Sequence, residues 1–349
     1  MNIILISGGP SAEREVSIAS SKSILKALRD LGHNVKVVDP IYGEKQITEE
    51  EIFQTSITKK SPSLEKLKEI ARSSNRNILN CINSKIFDDI DLAFLGVHGK
   101  FGEDGKIQTL LELRGIKYTG SDVFSSALAM DKDISKKVLE SIGIKTPEWI
   151  TLLKNAKIDF EKLNRQILNS VGYPCVIKPN DEGSTVGLSI VQPDVEDIQL
   201  KRSIDLAFNY SNKVLIEQFV KGRELTVPVI GEEAYPVIEI RPKDGFYDYE
   251  HKYTKGMTEY FCPAQIPFEK ERETKEAALK AHRALGCSVY SRVDFILDSE
   301  DNLCCLEVNT LPGMTETSLV PKSATAKGVN FKDLIETLIK LSLEKINYG

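Results

Sequence analysis

An apolar run from Asn2 to Ser7 stops at Gly8-Gly9-Pro10, and the residues beyond it repeat with helical spacing to about Leu31. A short, continuously apolar run bounded by glycine reads as a strand buried on both faces. Ser11 has the place of a helix N-cap and Glu13 that of a first-turn acid. A second strand over Asn34 to Val38 completes a strand–helix–strand unit, which predicts a parallel α/β sheet. Leu92 to Val97 is a further buried strand. It ends at His98-Gly99, and a glycine-rich turn leads into a helix over Lys106 to Arg114.

Near Gly120 the texture changes. One helix is expected from Ser125 to Ile142, then strands over Cys175 to Lys178 and Val186 to Val191 joined by the polar loop Asn180 to Thr185. From Val214 apolar stretches follow closely: Val214 to Val220, Glu224 to Ile230 and Tyr235 to Ile240. A helix over Glu269 to Leu285 precedes the strands Ser288 to Leu297 and Leu303 to Val308. The pattern predicts an α/β and α+β chain of three units. These are a parallel α/β domain (1–119), a small central α+β domain (120–213) and a C-terminal α+β domain (214–349). Asp244 to Tyr260 lacks apolar periodicity and reads as a long, lid-like loop.

The last two strands carry the clearest chemistry. Residues two apart on a strand share a face, so Arg292 and Asp294 point one way, as do Glu307 and Asn309. Folding the hairpin about the Glu300–Asp301 junction sets Asp294 opposite Glu307 and Arg292 opposite Asn309. Facing carboxylates, about 5 Å apart at Cβ, repel unless one is protonated or a cation lies between them. Carboxylate and amide oxygens suit a hard ion such as magnesium. Neutralisation by a nearby lysine or arginine, Arg292 first, is the alternative.

No GxxxxGK[ST] or GxGxxG occurs, which argues against a P-loop or a dinucleotide fold. Lys178 ends an apolar strand and needs an anion for its head. Glu182-Gly183-Ser184-Thr185-Val186-Gly187 follows, with backbone N–H groups and hydroxyls suited to phosphate, although a plain hairpin turn has the same composition. Lys132 alone would be a solvated helix lysine. Glu217, at the end of a buried strand, and Glu224 could cap, form ion pairs or receive adenine and ribose groups.

Composition narrows the function classes. The 349 residues are 41% apolar and 28% charged, with a net charge of -5, so no global basic field attracts nucleic acid or anionic lipid. Six cysteines without a CxxC pair, several inside apolar runs, fit a reducing cytoplasm. MNIILIS lacks a basic n-region and a cleavage site, so no signal peptide is expected, and no apolar run reaches membrane-spanning length.

Several motifs recur in order along nearly the whole chain: GGPSAEREVS (Gly8–Ser17), VHGKFGEDG (Val97–Gly105), MDK (Met130–Lys132) and EGSTVG (Glu182–Gly187). YDYEHKY (Tyr247–Tyr253), YFCPA (Tyr260–Ala264), RVD (Arg292–Asp294) and EVNTLPGMTETSL (Glu307–Leu319) follow. Together they resemble the ATP-grasp enzymes, and more closely the D-alanine–D-alanine ligases. The resemblance implies the three-domain ATP-grasp architecture, a cytoplasmic homodimer, and ligation of two D-alanines through an acyl phosphate for cell-wall synthesis. It implies ATP contacts from Lys132, Lys178, Lys252, Glu217, Gln218, Phe219, Val220 and Glu224. Two Mg2+ (or Mn2+) ions would be held by Asp294, Glu307 and Asn309. Glu13 would meet the first D-alanine's ammonium, with Ser184 and Tyr253 bonded to it and His98 beside that substrate. Arg292 and the Gly313 N–H would stabilise the oxyanion, and Ser318 with the Leu319 N–H would take the second carboxylate. Gln218 and Thr185 stand where some relatives have lysine and serine; both keep hydrogen-bonding capacity. A sister ligase with another second substrate and a catalytically silent nucleotide-binding module are the competing readings. Without the resemblance, Glu13 is a helix-dipole acid, His98 a core or capping histidine, Tyr253 packing and Ser318 a cap.

Overall fold

The computed structural model describes residues 1–54, 62–193, 197–243 and 256–345. The first sheet has β1 (Asn2–Ile6) between β2 (Asn34–Val38) and β3 (Leu92–Leu95), all parallel. Ile3 to Ile6 and Leu92 to Leu95 are almost wholly buried, whereas β2, at the edge, alternates. Each such side chain contributes about 1.5–3 kcal/mol on burial, so the central strand anchors the layer. Helices α1 (Arg14–Asp30), α2 (Glu49–Ile52), α3 (Leu64–Asn83) and α4 (Lys106–Leu113) belong to this part of the chain. The loops after β1 and β3 leave the carboxyl ends of parallel strands, where open α/β sheets present their ligand-binding groups.

The second layer begins with α5 (Val123–Met130) and α6 (Lys132–Ser141). The expected single helix is broken at Asp131, which leaves the helical region and accepts a 3.0 Å hydrogen bond from the Ile134 N–H as cap of α6. The break places Lys132 at the first position of a new helix rather than mid-helix. An antiparallel sheet follows, built from β4 (Trp149–Leu153), β5 (Cys175–Pro179), β6 (Ser189–Val191) and β7 (Lys213–Gln218) in the order β4-β7-β5-β6. Helices α7 (Phe160–Gln166) and α8 (Asp197–Phe208) accompany it, and a separate apolar cluster around Ile167, Ile177, Ile204 and Ile216 fills its core. Strand β6 begins at Ser189, later than Val186, because Ser184 and Thr185 adopt positive φ and extend the turn.

The third sheet contains β8 (Gly222–Ile230), β9 (Glu233–Ala234), β10 (Ile238–Pro242), β11 (Thr258–Phe261), β12 (Tyr290–Asp298) and β13 (Leu303–Asn309). Its path is β11-β10-β8-β12-β13, with β9 paired to β8 and α9 (Phe268–Ala284) packed against it. Of the expected lid, 244–255 lies outside the described residues, and its end is strand β11 rather than loop. Two final helices, α10 (Leu319–Ala326) and α11 (Phe331–Glu344), return to the first layer. Leu334, Ile335 and Leu338 of α11 share one core cluster with Ile24 and Leu28 of α1.

Within the β12–β13 ladder, Arg292 pairs with Asn309 and Asp294 with Glu307, the register expected from the sequence. Phe295, however, pairs with Cys305, so Leu306 is an extra residue in a β-bulge. The turn closes one residue earlier than a symmetric fold would have it, and the bulge restores the pairing before the acids are reached. Leu306 consequently lines the same cavity as Glu307 instead of alternating away from it.

Candidate active site

A cleft of about 440 Å³ lies between the two antiparallel sheets and reaches the carboxyl end of the parallel one. Every site residue expected from the sequence that falls among the described residues lines it: Glu13, His98, Lys132, Lys178, Ser184, Glu217 to Val220, Glu224, Arg292, Asp294, Glu307, Asn309, Gly313, Ser318 and Leu319. Lys252 and Tyr253 lie outside the described residues.

The acid pair sits on one face of the hairpin. Arg292 donates to Asp294 through Nε (2.9 Å) and Nη2 (2.7 Å), and Asn309 Nδ2 donates to Asp294 Oδ2 at 2.9 Å. The Thr226 hydroxyl, from β8, also donates to Asp294. Lys132 Nζ stands 3.2 Å from Glu307 Oε2 and donates to the Glu182 carbonyl at 2.7 Å. Burial works against the Lys132 charge, but Glu307, with Asp181 and Glu182 behind it, holds the pKa above the usual lysine value. Here side-chain cations neutralise both acids. No cluster of three His, Cys, Asp or Glu suited to a metal exists among the described residues. Two facing carboxylates and one amide nevertheless suit magnesium, which takes one or two protein carboxylates and completes its shell with phosphate oxygens and water.

Toward the central sheet, Glu217 is almost fully buried with both oxygens bonded: Oε1 accepts from Lys136 Nζ and Oε2 from Lys178 Nζ, each at 2.6 Å. Burial opposes its charge, yet Lys178 and Lys136 keep the carboxyl below its ordinary pKa. Lys136 is buried too; burial pulls it below the usual lysine range, and a carboxylate shared with Lys178 offsets only part of that. It also donates to the Pro147 carbonyl at 2.7 Å and lies over the Trp149 ring at 4.8 Å. Sequence reasoning missed Lys136. Its one available signal was a spacing of four residues from Lys132, the same helix face.

The opposite end is built by the loops of the first layer. Ser11 does not cap α1: the helix starts at Arg14 after Glu13, and the Ser11 hydroxyl instead donates to the His98 carbonyl at 2.7 Å and accepts from the Glu13 N–H at 3.1 Å. This tie joins the loops after β1 and β3 and fixes Glu13 at the cleft. The Ser184 hydroxyl donates to Glu13 Oε1, linking the central layer's loop to the first layer. Gly183 lets that loop approach: a Cβ there would sit 3.0 Å from Glu13 Oε2. Lys100 adds a second tie, 2.8 Å from Glu182.

His98 is buried, with both ring nitrogens bonded. Nδ1 is 2.8 Å from the Leu311 carbonyl, which can only accept, so Nδ1 carries the proton; Nε2 is 2.9 Å from Ser20 Oγ. Burial lowers its pKa against the opposing pull of Glu13. Glu103, also missed from sequence, accepts from the Gly99 N–H (2.8 Å) and the Leu311 N–H (3.3 Å). Burial, and then Glu13, push its carboxyl up to about 8. Ser318 begins α10 without capping it; its Oγ accepts from the Thr315 N–H at 3.1 Å and would lie 3.2 Å from a Cβ on Gly313.

Two family models match the chain: "D-ala D-ala ligase N-terminus" over residues 2–121 and "D-ala D-ala ligase C-terminus" over 138–340. A D-alanine–D-alanine ligase of Halalkalibacterium halodurans is 40% identical over 99% of this chain and all of its own length. One of Clostridium beijerinckii is 40% identical over 99% of both chains. Among solved structures, the Bacillus anthracis D-alanine–D-alanine ligase complexed with ATP superposes with a TM-score of 0.74 at 32% identity, covering 99% of this chain and 98% of that one. The VanG D-Ala:D-Ser ligase of Enterococcus faecalis gives 0.76 at 30% identity, covering 98% and 99%.

Proposed function

This chain belongs to the D-alanine–D-alanine ligase family, and we propose how its cleft divides the work of that reaction. The protein joins two D-alanines at the expense of ATP, for peptidoglycan precursor synthesis. The observation that carries the assignment of roles is the convergence in one cleft of a facing acid pair, two lysines and the Glu13–Ser184 contact, drawn from all three sheets.

ATP lies between the two antiparallel sheets. Glu217, the Gln218–Val220 backbone and Glu224 receive adenine and ribose; Lys132, Lys178 and Lys252 receive the phosphates. A carboxylate approaching a triphosphate meets strong repulsion, and phosphoryl transfer asks the protein chiefly for charge neutralisation and positioning. Asp294, Glu307 and Asn309 would hold Mg2+ or Mn2+, two ions by the resemblance, which would supply the remaining positive charge. The first D-alanine is held through its ammonium by Glu13, with Ser184 and Tyr253 bonded to that acid and His98 beside the substrate. Its carboxylate takes the γ-phosphoryl group to give an acyl phosphate. The second D-alanine, bound through its carboxylate by Ser318 and the Leu319 N–H, attacks with its amine. Arg292 and the Gly313 N–H stabilise the oxyanion that forms.

The three units, 1–119, 120–213 and 214–349, are supported by the three sheets, although α11 packs on the first layer. No helix among the described residues is long and apolar enough to cross a membrane; the cytoplasmic location rests on the cysteine usage and on the precursor-building reaction of the family. A homodimer rests on the resemblance alone. The deciding experiment is phosphate release with ATP, magnesium and D-alanine, followed by product analysis with D-lactate or D-serine added. Release of one phosphate per D-alanyl-D-alanine is expected. A mixed product formed in preference would move the second substrate, and no turnover would reject the assignment.

A further inference from the structure

We propose that Ser20, His98 and Glu103 are positioning residues that clamp the turn Leu311–Met314 and so aim the Gly313 N–H at the reacting carbonyl. The inference rests on the proposed oxyanion role of Gly313. All three residues come from the first layer, whereas the turn follows β13 of the third. Glu103 Oε2 accepts from the Leu311 N–H at 3.3 Å, and His98 Nδ1–H donates to the Leu311 carbonyl at 2.8 Å. Ser20 Oγ accepts from the Met314 N–H at 3.2 Å and, because Nε2 of this tautomer is an acceptor, donates to His98 at 2.9 Å. The bonds form a closed circuit: Met314 N–H to Ser20, Ser20 to His98, His98 back to Leu311.

Both ends of the turn are therefore fixed from one rigid source. Ser20 is wholly buried on α1, and Glu103 and His98 are joined through the Gly99 N–H. Between the fixed ends, no acceptor among the described residues takes the N–H of Gly313. A donor left open while its neighbours are bound on both sides is what a preorganised oxyanion site requires, because nothing need reorient when charge develops. Burial lowers the pKa of His98 and keeps the ring neutral, and the Leu311 carbonyl at Nδ1 selects the tautomer that the circuit needs. A plain interlayer anchor would use the same bonds, so the test must read the amine-attack step itself.

That reading is the ratio of phosphate released to dipeptide formed. If the donor is misaimed, the amine reacts slowly, and water attacks the acyl phosphate at phosphorus, breaking the P–O bond without forming a carbonyl oxyanion and returning D-alanine and phosphate. Ser20→Ala removes two links. The expected result is a ratio several-fold above one and a dipeptide kcat at least about 10-fold lower, with KM for ATP unchanged; loss of a whole oxyanion donor costs about 10²–10³. Glu103→Ala should act the same way, and Glu103→Gln, which keeps one acceptor oxygen for the two N–H groups that Glu103 serves, should give a ratio between that of Glu103→Ala and one. If Ser20→Ala fails to fold, the Glu103 pair decides. Gly313→Pro deletes the donor: a ratio of one there rejects the oxyanion role. A raised ratio for Gly313→Pro with a ratio of one for both Ser20→Ala and Glu103→Ala rejects the clamp alone.

Discussion

Lys136 Nζ lies 2.6 Å from Glu217 Oε1, and both side chains are almost completely buried. Glu217 thus has two cations, one permanently internal and one, Lys178, that faces the cleft. Truncating one member of a buried pair typically costs about 3–5 kcal/mol. Lys136→Met leaves Glu217 with Lys178 as its partner, so a loss near about 3 kcal/mol is expected in denaturant unfolding. Lys178 would also be drawn more tightly to Glu217, and KM for ATP should rise while KM for D-alanine stays. An unchanged KM for ATP would limit Lys136 to stability.

Asp294→Asn keeps an oxygen for the Thr226 hydroxyl but removes one charge from the acid pair. The hairpin should fold as before. Ligase activity at saturating magnesium should fall on the order of 10²-fold or more, and Mn2+ affinity, read by paramagnetic resonance in the presence of ATP, should weaken. Undiminished Mn2+ affinity would remove Asp294 from the ligand set.

Gly183→Ala introduces a methyl 3.0 and 3.3 Å from the two Glu13 carboxylate oxygens. Either the loop or Glu13 must shift. The first D-alanine should bind roughly 10-fold more weakly, with stability little changed, since displacements of this size act on alignment. Substrate-dependent initial rates measure it; equal KM values for D-alanine would show that the loop absorbs the methyl.

His282, buried and bonded to the Ser291 hydroxyl at 2.7 Å, has its pKa lowered to about 4 by burial. Between pH 6.5 and 4 the unfolded chain therefore binds a proton that the folded chain refuses. Stability falls as pH falls through that window, by up to about 1.4 kcal/mol per pH unit from this group. His282→Gln removes the proton site, and its Tm should decline less than the parent's between pH 6.5 and 4. Parallel Tm curves would assign the acid sensitivity elsewhere.

Much of this site was legible because its logic is local. The facing of Asp294 and Glu307 follows from a two-residue period and a turn, and Lys178 from a charge ending an apolar strand. What stayed hidden depends on contacts between distant segments. Ser20 meets Met314, and Lys136 meets Glu217, through packing that no periodicity encodes. The break at Asp131 was hidden because apolar spacing continues through it; the contacts made there, the Lys132 N–H to the Asn180 carbonyl and Lys213 to Asp131, come from two distant segments.

The surplus residue in β13 has one further consequence. Parity along a regular strand would have sent Leu306 and Glu307 to opposite sides; the miscount hands both to the same chamber, one greasy wall beside one charge. Excising Leu306 would leave a flawless ladder with both acids still abreast. The damage would then appear as a looser grip on the nucleotide rather than as a broken hairpin.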